Sequence, residues 1–298
     1  MNAIEIRTMS QCTVDEITAL WNVGFQHYLY DMTRTPFAML NSLGKEYIHP
    51  ELSIAAFIDG VPAGFVNVGI RVIEGRILAW NGGTGVNPAF RGRGLSKQLV
   101  TEIIRRLKAF GAESFTLEVN AKNDPGIRSY SSCGLTIVDG LFTMRRKGDY
   151  EGHPFRSKRA ASYRFHQGAA DLVSRLPFYC SEHSSWTTQW FNLESHQSLI
   201  VYDRMGNAIG YALFRQQFNE RGGQVSVNLN HCEADSSRED HPDIILALLE
   251  KVMTPEAAGI DRNVTYLRAS NKAAVEALLA AGFENYNEEK LMVMRLDK

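Results

Sequence analysis

The sequence predicts an α/β (α+β) protein built from two tandem, related domains. Three observations carry this. The chain has 298 residues, and a single domain usually takes roughly 100–200. Glycine-punctuated apolar runs of strand length alternate with runs of helical period in both halves. The second half also repeats the first. "VTYLRASNKAAVEALLAAGF" resembles "FTLEVNAKNDPGIRSYSSCGL", and the pairs Asn123/Asn271 and Gly134/Gly282 share an offset of 148 residues. The predicted division is 1–150 and 151–298, with a crossover at about 147–168, where "KGDYEGHPFRSKRAASYRFHQG" breaks the periodicity.

Taken in order, "SIAAFIDG" and "VPAGFVNVGI" read as a hairpin turning at Asp59-Gly60. "RILAWNGGTGV" continues as a third strand, and Gly82, Gly83 and Gly85 inside it signal a bulge or a close backbone approach. Leu95, Leu99, Val100, Ile103, Ile104, Leu107 and Phe110 recur at helical spacing, and Gly111 stands where a C-terminal cap belongs. "SFTLEVN" alternates, with Phe115, Leu117 and Val119 on one side and Thr116, Glu118 and Asn120 on the other. A short helix over about 124–133 ends at Gly134, and "LFTMRRK" reads as a late strand. In the second half "SLIVYDRMGNAIGYALF" mirrors the first hairpin.

Composition narrows the function classes. The formal net charge is -1 and no basic stripe with interleaved aromatics occurs, so a nucleic-acid partner is not expected. No run approaches the ~20 apolar residues of a membrane span, and the first residues do not read as a signal peptide. Cys12, Cys133, Cys180 and Cys232 lack framework spacing, which fits reduced thiols and a cytoplasmic location. No metal is expected: Cys180/His183 and His231/Cys232 are the nearest to a zinc pattern, and the adjacent His231-Cys232 is poor spacing for shared tetrahedral ligation.

The strongest chemical signal is "VNPAFRGRGLSKQL", residues 86–99. The first N–H groups of a helix have no intrahelical partner, and the helix dipole favours an anion there. Gly92 and Gly94 permit close approach to a ligand, and Arg91, Arg93 and Lys97 add positive charge with no acid between them. The P-loop pattern is absent, and the Rossmann fingerprint fails because Lys97 occupies its third glycine position.

Val86-x-Pro88 followed by Arg91-Gly92-Arg93-Gly94-Leu95-Ser96 resembles the acyl-CoA motif of the GCN5-related N-acetyltransferase (GNAT) superfamily, with Ser96 at a position usually held by glycine or alanine. "LEVNAKNDPGIRSYSSCGL" resembles its downstream motif, in which Asn123, Tyr130 and Gly134 align and Leu135 replaces phenylalanine. The resemblance covers residues 3–150 well and 160–298 more weakly. It implies two tandem GNAT-like domains, each a mixed, mostly antiparallel twisted sheet flanked by helices. It implies acetyl-CoA as co-substrate, held by Val86, Arg91, Gly92, Arg93, Gly94, Leu95, Ser96 and Asn123. It also implies an N-acetyltransferase in which a primary amine, expected on a small molecule, attacks the thioester directly. Tyr130 is similar to the family's tyrosine acid and also touches the cofactor, and Glu118 is the candidate base. The acceptor would meet Tyr28, Tyr30 and Asp31 in "GFQHYLYDM". An acyl-cysteine route through Cys133 is disfavoured, since no histidine lies near it in sequence.

The second half lacks these groups. Its counterpart loop, "HCEADSSREDHPD", holds five acids and no glycine, and Leu278 and Tyr266 stand where Tyr130 and Glu118 would be. A diphosphate would be repelled there, so this half is expected to be a degenerate copy. The chain is expected to be a monomer or homodimer, and the alternative to an enzyme is a non-catalytic acyl-CoA sensor or scaffold.

Overall fold

A computed structural model describes residues 4–179, 181–193, 195–254 and 258–296. Contacts divide the chain into two units, Met1–Ile137 with Met292–Lys298, and Val138–Leu291.

In the first unit β1 (Ile4–Thr8) leads into α1 (Val14–Gly24) and α2 (Pro36–Lys45). A reciprocal capping box starts α1: the Glu16 N–H donates to Thr13 Oγ1 at 3.2 Å, and the Thr13 N–H donates to Glu16 Oε2 at 2.8 Å. Thr35 caps α2, with Pro36 at its first position. The hairpin follows as β2 (Ile54–Ile58) and β3 (Val61–Ile73), then β4 (Arg76–Val86), α3 (Leu95–Phe110), β5 (Ser114–Asn120) and α4 (Asp124–Ser131). The sheet runs β1-β2-β3-β4-β5. The first three pairings are antiparallel and β4–β5 is parallel.

The apolar stripe of α3 covers one face of this sheet. Leu99, Val100, Ile103 and Leu107 are fully buried against Val66, Val68, Phe115 and Leu117, each worth about 1.5–3 kcal/mol. On the other face α1 packs flush on β4 because two glycines meet: a Cβ on Gly85 would overlap the Phe65 ring and stand 3.0 Å from the Gly24 Cα.

In the second unit β6 (Thr136–Arg146) is followed by β7 (Arg164–Ala169), β8 (Gln197–Tyr202), β9 (Ala208–Phe218), β10 (Gln224–Ala234), α5 (His241–Met253), β11 (Asp261–Arg268) and α6 (Lys272–Ala280). The sheet runs β7-β8-β9-β10-β11-β6. Here too the strands that flank the central helix, β10 and β11, pair in parallel.

Two features depart from expectation. The crossover segment is not structureless, because β7 begins at Arg164 inside it. As an edge strand with mostly exposed side chains, β7 needs little apolar periodicity. The units also do not divide at residue 150. Val138 onward belongs to the second unit, and the residues from Met292, at the end of β12 (Glu284–Arg295), belong to the first. There the Leu296 N–H donates to the Glu113 carbonyl at 2.9 Å, while Met292 and Leu296 join the α3 core.

Candidate active site

Strand β4 carries a bulge. Asn67 pairs with Gly83 and Val68 with Asn81, so Gly82 is the extra residue, and Gly83 adopts a φ of 147°. Pairing of β4 with β5 runs from Leu78–Ser114 to Trp80–Thr116. Beyond that point no further β4–β5 pair forms among the described residues, and the strands open into a cleft. An extended ligand can meet free strand backbone there.

At the end of β4 the chain makes a short turn, Pro88–Phe90, and enters α3. Gly92 and Gly94 have φ of 75° and 77°, the left-handed region that favours glycine. A Cβ on either would meet no atom within 4 Å, so both face open space. No side chain caps α3 and its first turn holds no acid, which leaves its first N–H groups available. This loop fits a diphosphate: an open glycine cradle at a helix N-terminus, free of negative charge.

The side chains around the cradle serve the loop more than expected. The Arg91 guanidinium was expected to add charge for the ligand. It also donates to the carbonyls of Val86 (2.9 Å), Gly24 (3.0 Å) and Gln26 (2.7 Å), tying the loop to the end of α1. Arg93 is exposed, with its guanidinium 5.8 Å from the Phe90 ring centroid. Ser96 Oγ lies 2.9 Å from Ser129 Oγ and links α3 to α4, and Leu95 is buried in the core. Asn123 caps α4, its side chain accepting from the Gly126 N–H at 3.1 Å.

Tyr130 projects from α4 toward the bulge, where its hydroxyl lies close enough to the Thr84 and Asn81 side chains to be influenced by them. Those two are joined to each other, Asn81 Nδ2 donating to Thr84 Oγ1 at 2.9 Å. Burial pushes the Tyr130 phenol up to about 12, against a weaker opposing pull from the polar side chains of Thr84 and Asn81. The phenol therefore keeps its proton throughout the neutral range. Glu118 lies on the other side of β5 from the α3 core, and its Oε2 accepts from Trp80 Nε1 at 2.6 Å. Cys133 sits 3.8 Å from the Lys97 carbonyl and from Thr101 Oγ1.

The loop between α1 and α2 is clamped back onto α1. Asn22 Oδ1 accepts from the Arg34 N–H at 2.9 Å, Asn22 Nδ2 donates to the Arg34 carbonyl at 3.0 Å, and Trp21 Nε1 donates to the Met32 carbonyl at 2.6 Å. Tyr28, Tyr30 and Asp31 together line a cavity of about 340 Å³ in this loop, with Phe25 and Asn22. Tyr28 is close enough to Tyr130 to be felt electrostatically. Asp31 is occupied locally, accepting from the Thr33 N–H at 2.9 Å, a bond that with the Thr33 side chain lowers its carboxyl.

Residues 14–135 match the acetyltransferase (GNAT) family. This chain carries a GNAT-family acetyltransferase domain. An acetyltransferase from Yersinia enterocolitica is 27% identical over 144 residues, covering 48% of this chain and 95% of its own. Two solved structures share the architecture of the whole chain. A tandem GNAT protein from the clavulanic acid biosynthesis pathway is 13% identical, with 99% of each chain covered and a TM-score of 0.53. A GCN5-related N-acetyltransferase from Sphaerobacter thermophilus is 15% identical, covers 99% of this chain and 96% of its own, and has a TM-score of 0.60. The chain thus has the fold of two tandem GNAT-like domains.

The second GNAT-like unit repeats the first in detail. Leu229 pairs with Phe214 and His231 with Leu213, making Asn230 the bulge residue of β10. It lies 148 residues after Gly82 (230 minus 82), the offset already seen in the sequence. Asn271 caps α6 as Asn123 caps α4, accepting from the Ala274 N–H at 3.1 Å. A cap kept in a unit without the glycine cradle explains both asparagines as helix starters.

Where the GNAT-family domain has bare glycines, the second unit has side chains. His231, at the position of Gly83, is buried between Tyr211 Oη (3.3 Å) and Thr188 Oγ1 (3.1 Å). Burial pushes its imidazole down to about 3, so the ring is neutral. The start of α5 is flanked by Asp240 and Asp243, with Asp240 accepting from Arg238 Nε at 2.8 Å and from the Tyr163 hydroxyl at 3.0 Å. Leu278 is fully buried, and Tyr266 has a φ of 59°. Cys180 lies outside the described residues, among which no group of three or more His, Cys, Asp or Glu is placed to hold a metal. No helix among them is long and apolar enough to cross a membrane.

Sequence reasoning missed Asn81, Thr84 and Trp80, three polar or amphipathic residues of β4 that hold the acid and base candidates. The available signal was their placement among Gly82, Gly83 and Gly85 in a strand otherwise flanked by apolar ones.

Proposed function

We propose that this protein is a cytoplasmic acetyl-CoA-dependent N-acetyltransferase acting on a primary amine of a small molecule, with all chemistry in the first unit. The observation that carries this reading is the meeting of three parts at one end of β4: the open glycine cradle, the β4–β5 cleft, and the protonated Tyr130 hydroxyl at the bulge. The cavity of about 340 Å³ beside Tyr28 is of a size that a small acceptor fills. Cys12, Cys133 and Cys232 are free thiols, in keeping with a reducing compartment.

Acetyl-CoA supplies an acyl thioester. The amides of Gly92, Gly94, Leu95 and Ser96 hold its diphosphate, and Arg93 adds charge at the rim. Glu118, directly or through water, takes a proton from the acceptor ammonium, since only the neutral amine attacks. A C–N bond forms as the C–S bond breaks. Tyr130 protonates the departing sulfur and recovers a proton from the nitrogen side. The nitrogen loses two protons in all: one is matched by the thiol, the other goes to water. The second unit takes no part in cofactor binding: it lacks the glycine cradle, and buried His231 stands at the position of Gly83.

The reading is tested by following thiol release from acetyl-CoA across a panel of small primary amines and peptides. Acceptor-dependent release with small amines is expected. Tight acetyl-CoA binding with no release for any acceptor would establish the sensor reading instead.

A further inference from the structure

The bulge of β4 holds two polar side chains that a bulge does not require. Asn81 is 5% exposed. Its Oδ1 accepts from the Gly83 N–H at 3.0 Å, which fixes the amide with its oxygen toward Gly83 and Nδ2 toward Thr84. Thr84 Oγ1 lies 2.9 Å from that Nδ2 and 3.2 Å from Oδ1. An amide nitrogen can only donate, so the threonine hydroxyl accepts from it and keeps its own hydrogen to give. One acceptor for that hydrogen, Asn81 Oδ1, already serves the Gly83 N–H. Tyr130, packed from α4 against the α3 core, brings its hydroxyl close to both side chains.

The second unit has the same bulge without these groups. In β10, Leu229 pairs with Phe214, His231 with Leu213 and Cys232 with Ala212. In β4, Asn81 pairs with Val68, Gly83 with Asn67 and Thr84 with Val66, the same register. Leu229, Cys232 and Leu278 stand 148 residues after Asn81, Thr84 and Tyr130. All three are fully buried in one apolar core. The bulge therefore forms around leucine and cysteine, and an amide is costlier to bury than a leucine. The three polar groups occur together in the unit with the glycine cradle and are replaced together in the unit without it.

We propose that Asn81 and Thr84 are positioning residues for Tyr130: Asn81 Nδ2 donates to Thr84 Oγ1, and the Thr84 hydroxyl donates to the Tyr130 oxygen. The phenol hydrogen then points away from Thr84 and is free for the departing sulfur. As Tyr130 gives up that proton, the bond from Thr84 strengthens on the phenolate oxygen that forms. Neither residue exchanges a proton with the substrate. The inference rests on the acetyl-transfer reading and deepens it, adding to its acid a directed chain of hydrogen bonds.

The test is a double-mutant cycle on the full-length protein. Thiol release from acetyl-CoA is followed with ethanolamine, 2-phenylethylamine and glycinamide. Thr84→Val removes the hydroxyl at nearly constant volume. It is expected to lower kcat roughly 10- to 100-fold, the scale of one hydrogen bond to a charged group, with KM for acetyl-CoA unchanged. In the Tyr130→Phe background the same substitution is expected to change kcat by less than about twofold, since no phenol remains to be positioned. Thr84→Ser, which keeps a hydroxyl, is expected to retain most of the wild-type rate. Equal losses in both backgrounds would mark a merely structural role and overturn the proposal, as would an unchanged kcat in Thr84→Val. Should Thr84→Val lose acetyl-CoA binding, Asn81→Leu, which copies the second unit's bulge, takes its place in the cycle. Equal losses with and without the Tyr130 hydroxyl then overturn the proposal. A wild type that turns over none of the three amines removes the acetyl-transfer reading and this inference with it. Every other negative result leaves acetyl transfer standing.

Discussion

Tyr130→Phe is expected to lower kcat by roughly 10²- to 10⁴-fold, the usual contribution of a positioned acid, with acetyl-CoA affinity unchanged. The substitution removes one hydroxyl from a partly buried ring. Thr84 and Asn81 retain their mutual hydrogen bond, so the bulge keeps its shape. Nothing in the cradle touches the lost atom, which separates binding from turnover. The pH profile carries a second signature. Burial holds the phenol at about 12, two units above its ordinary value of about 10. The proton is present below that range and is lost only as pH rises through the raised value. Wild-type kcat/KM therefore has no alkaline limb from Tyr130 below about pH 10. A limb near neutral pH that vanished in the Phe variant would contradict this assignment.

Glu118→Gln is expected to cost roughly 10²- to 10³-fold in kcat. Glutamine still accepts from Trp80 Nε1, so the 2.6 Å bond that orients the side chain survives. What is lost is the ability to take a proton from the bound ammonium. The loss should shrink as pH rises toward the amine's own pKa, because the free base then supplies itself. Steady-state kinetics from about pH 7 to 10 check this. A pH-independent deficit would make Glu118 a structural partner of Trp80, and a variant with near-normal kcat would remove it from the proton path.

Much of the fold was legible because its elements follow from local rules. The stripe from Leu95 to Leu107 and Gly111, with a φ of 85°, mark the beginning and end of α3. The offset of 148 residues, read from Asn123 and Gly134, recurs at the Gly82 and Asn230 bulges. The assignment of the last strands was not legible. "LFTMRRK" and "KLMVMRL" are near equivalents in sequence, and which sheet each joins depends on tertiary pairing that neither run encodes. The start of β7 was hidden for a different reason, since an edge strand with charged, exposed residues lacks the alternation that betrays a buried one.

At the site, the glycines were readable because a helix N-terminus and positive φ impose residue type. The side chains around them were not. Arg91 reads as a ligand for an anion, and nothing local shows that its guanidinium also bonds the Gly24 and Gln26 carbonyls, more than sixty residues earlier.

The central claim is that one of two related units binds coenzyme A through the Gly92–Gly94 cradle. Calorimetric titration of the full chain with coenzyme A tests it directly, beside Gly94→Val. A Cβ at this position, with a φ of 77°, meets no protein atom within 4 Å, so a branched side chain built on it points into the ligand's space, and the backbone strain is roughly 1–2 kcal/mol. One coenzyme A per chain is predicted for the wild type, with affinity lost in the variant while the fold persists. Two per chain, or one whose affinity is untouched by Gly94→Val, would contradict the account.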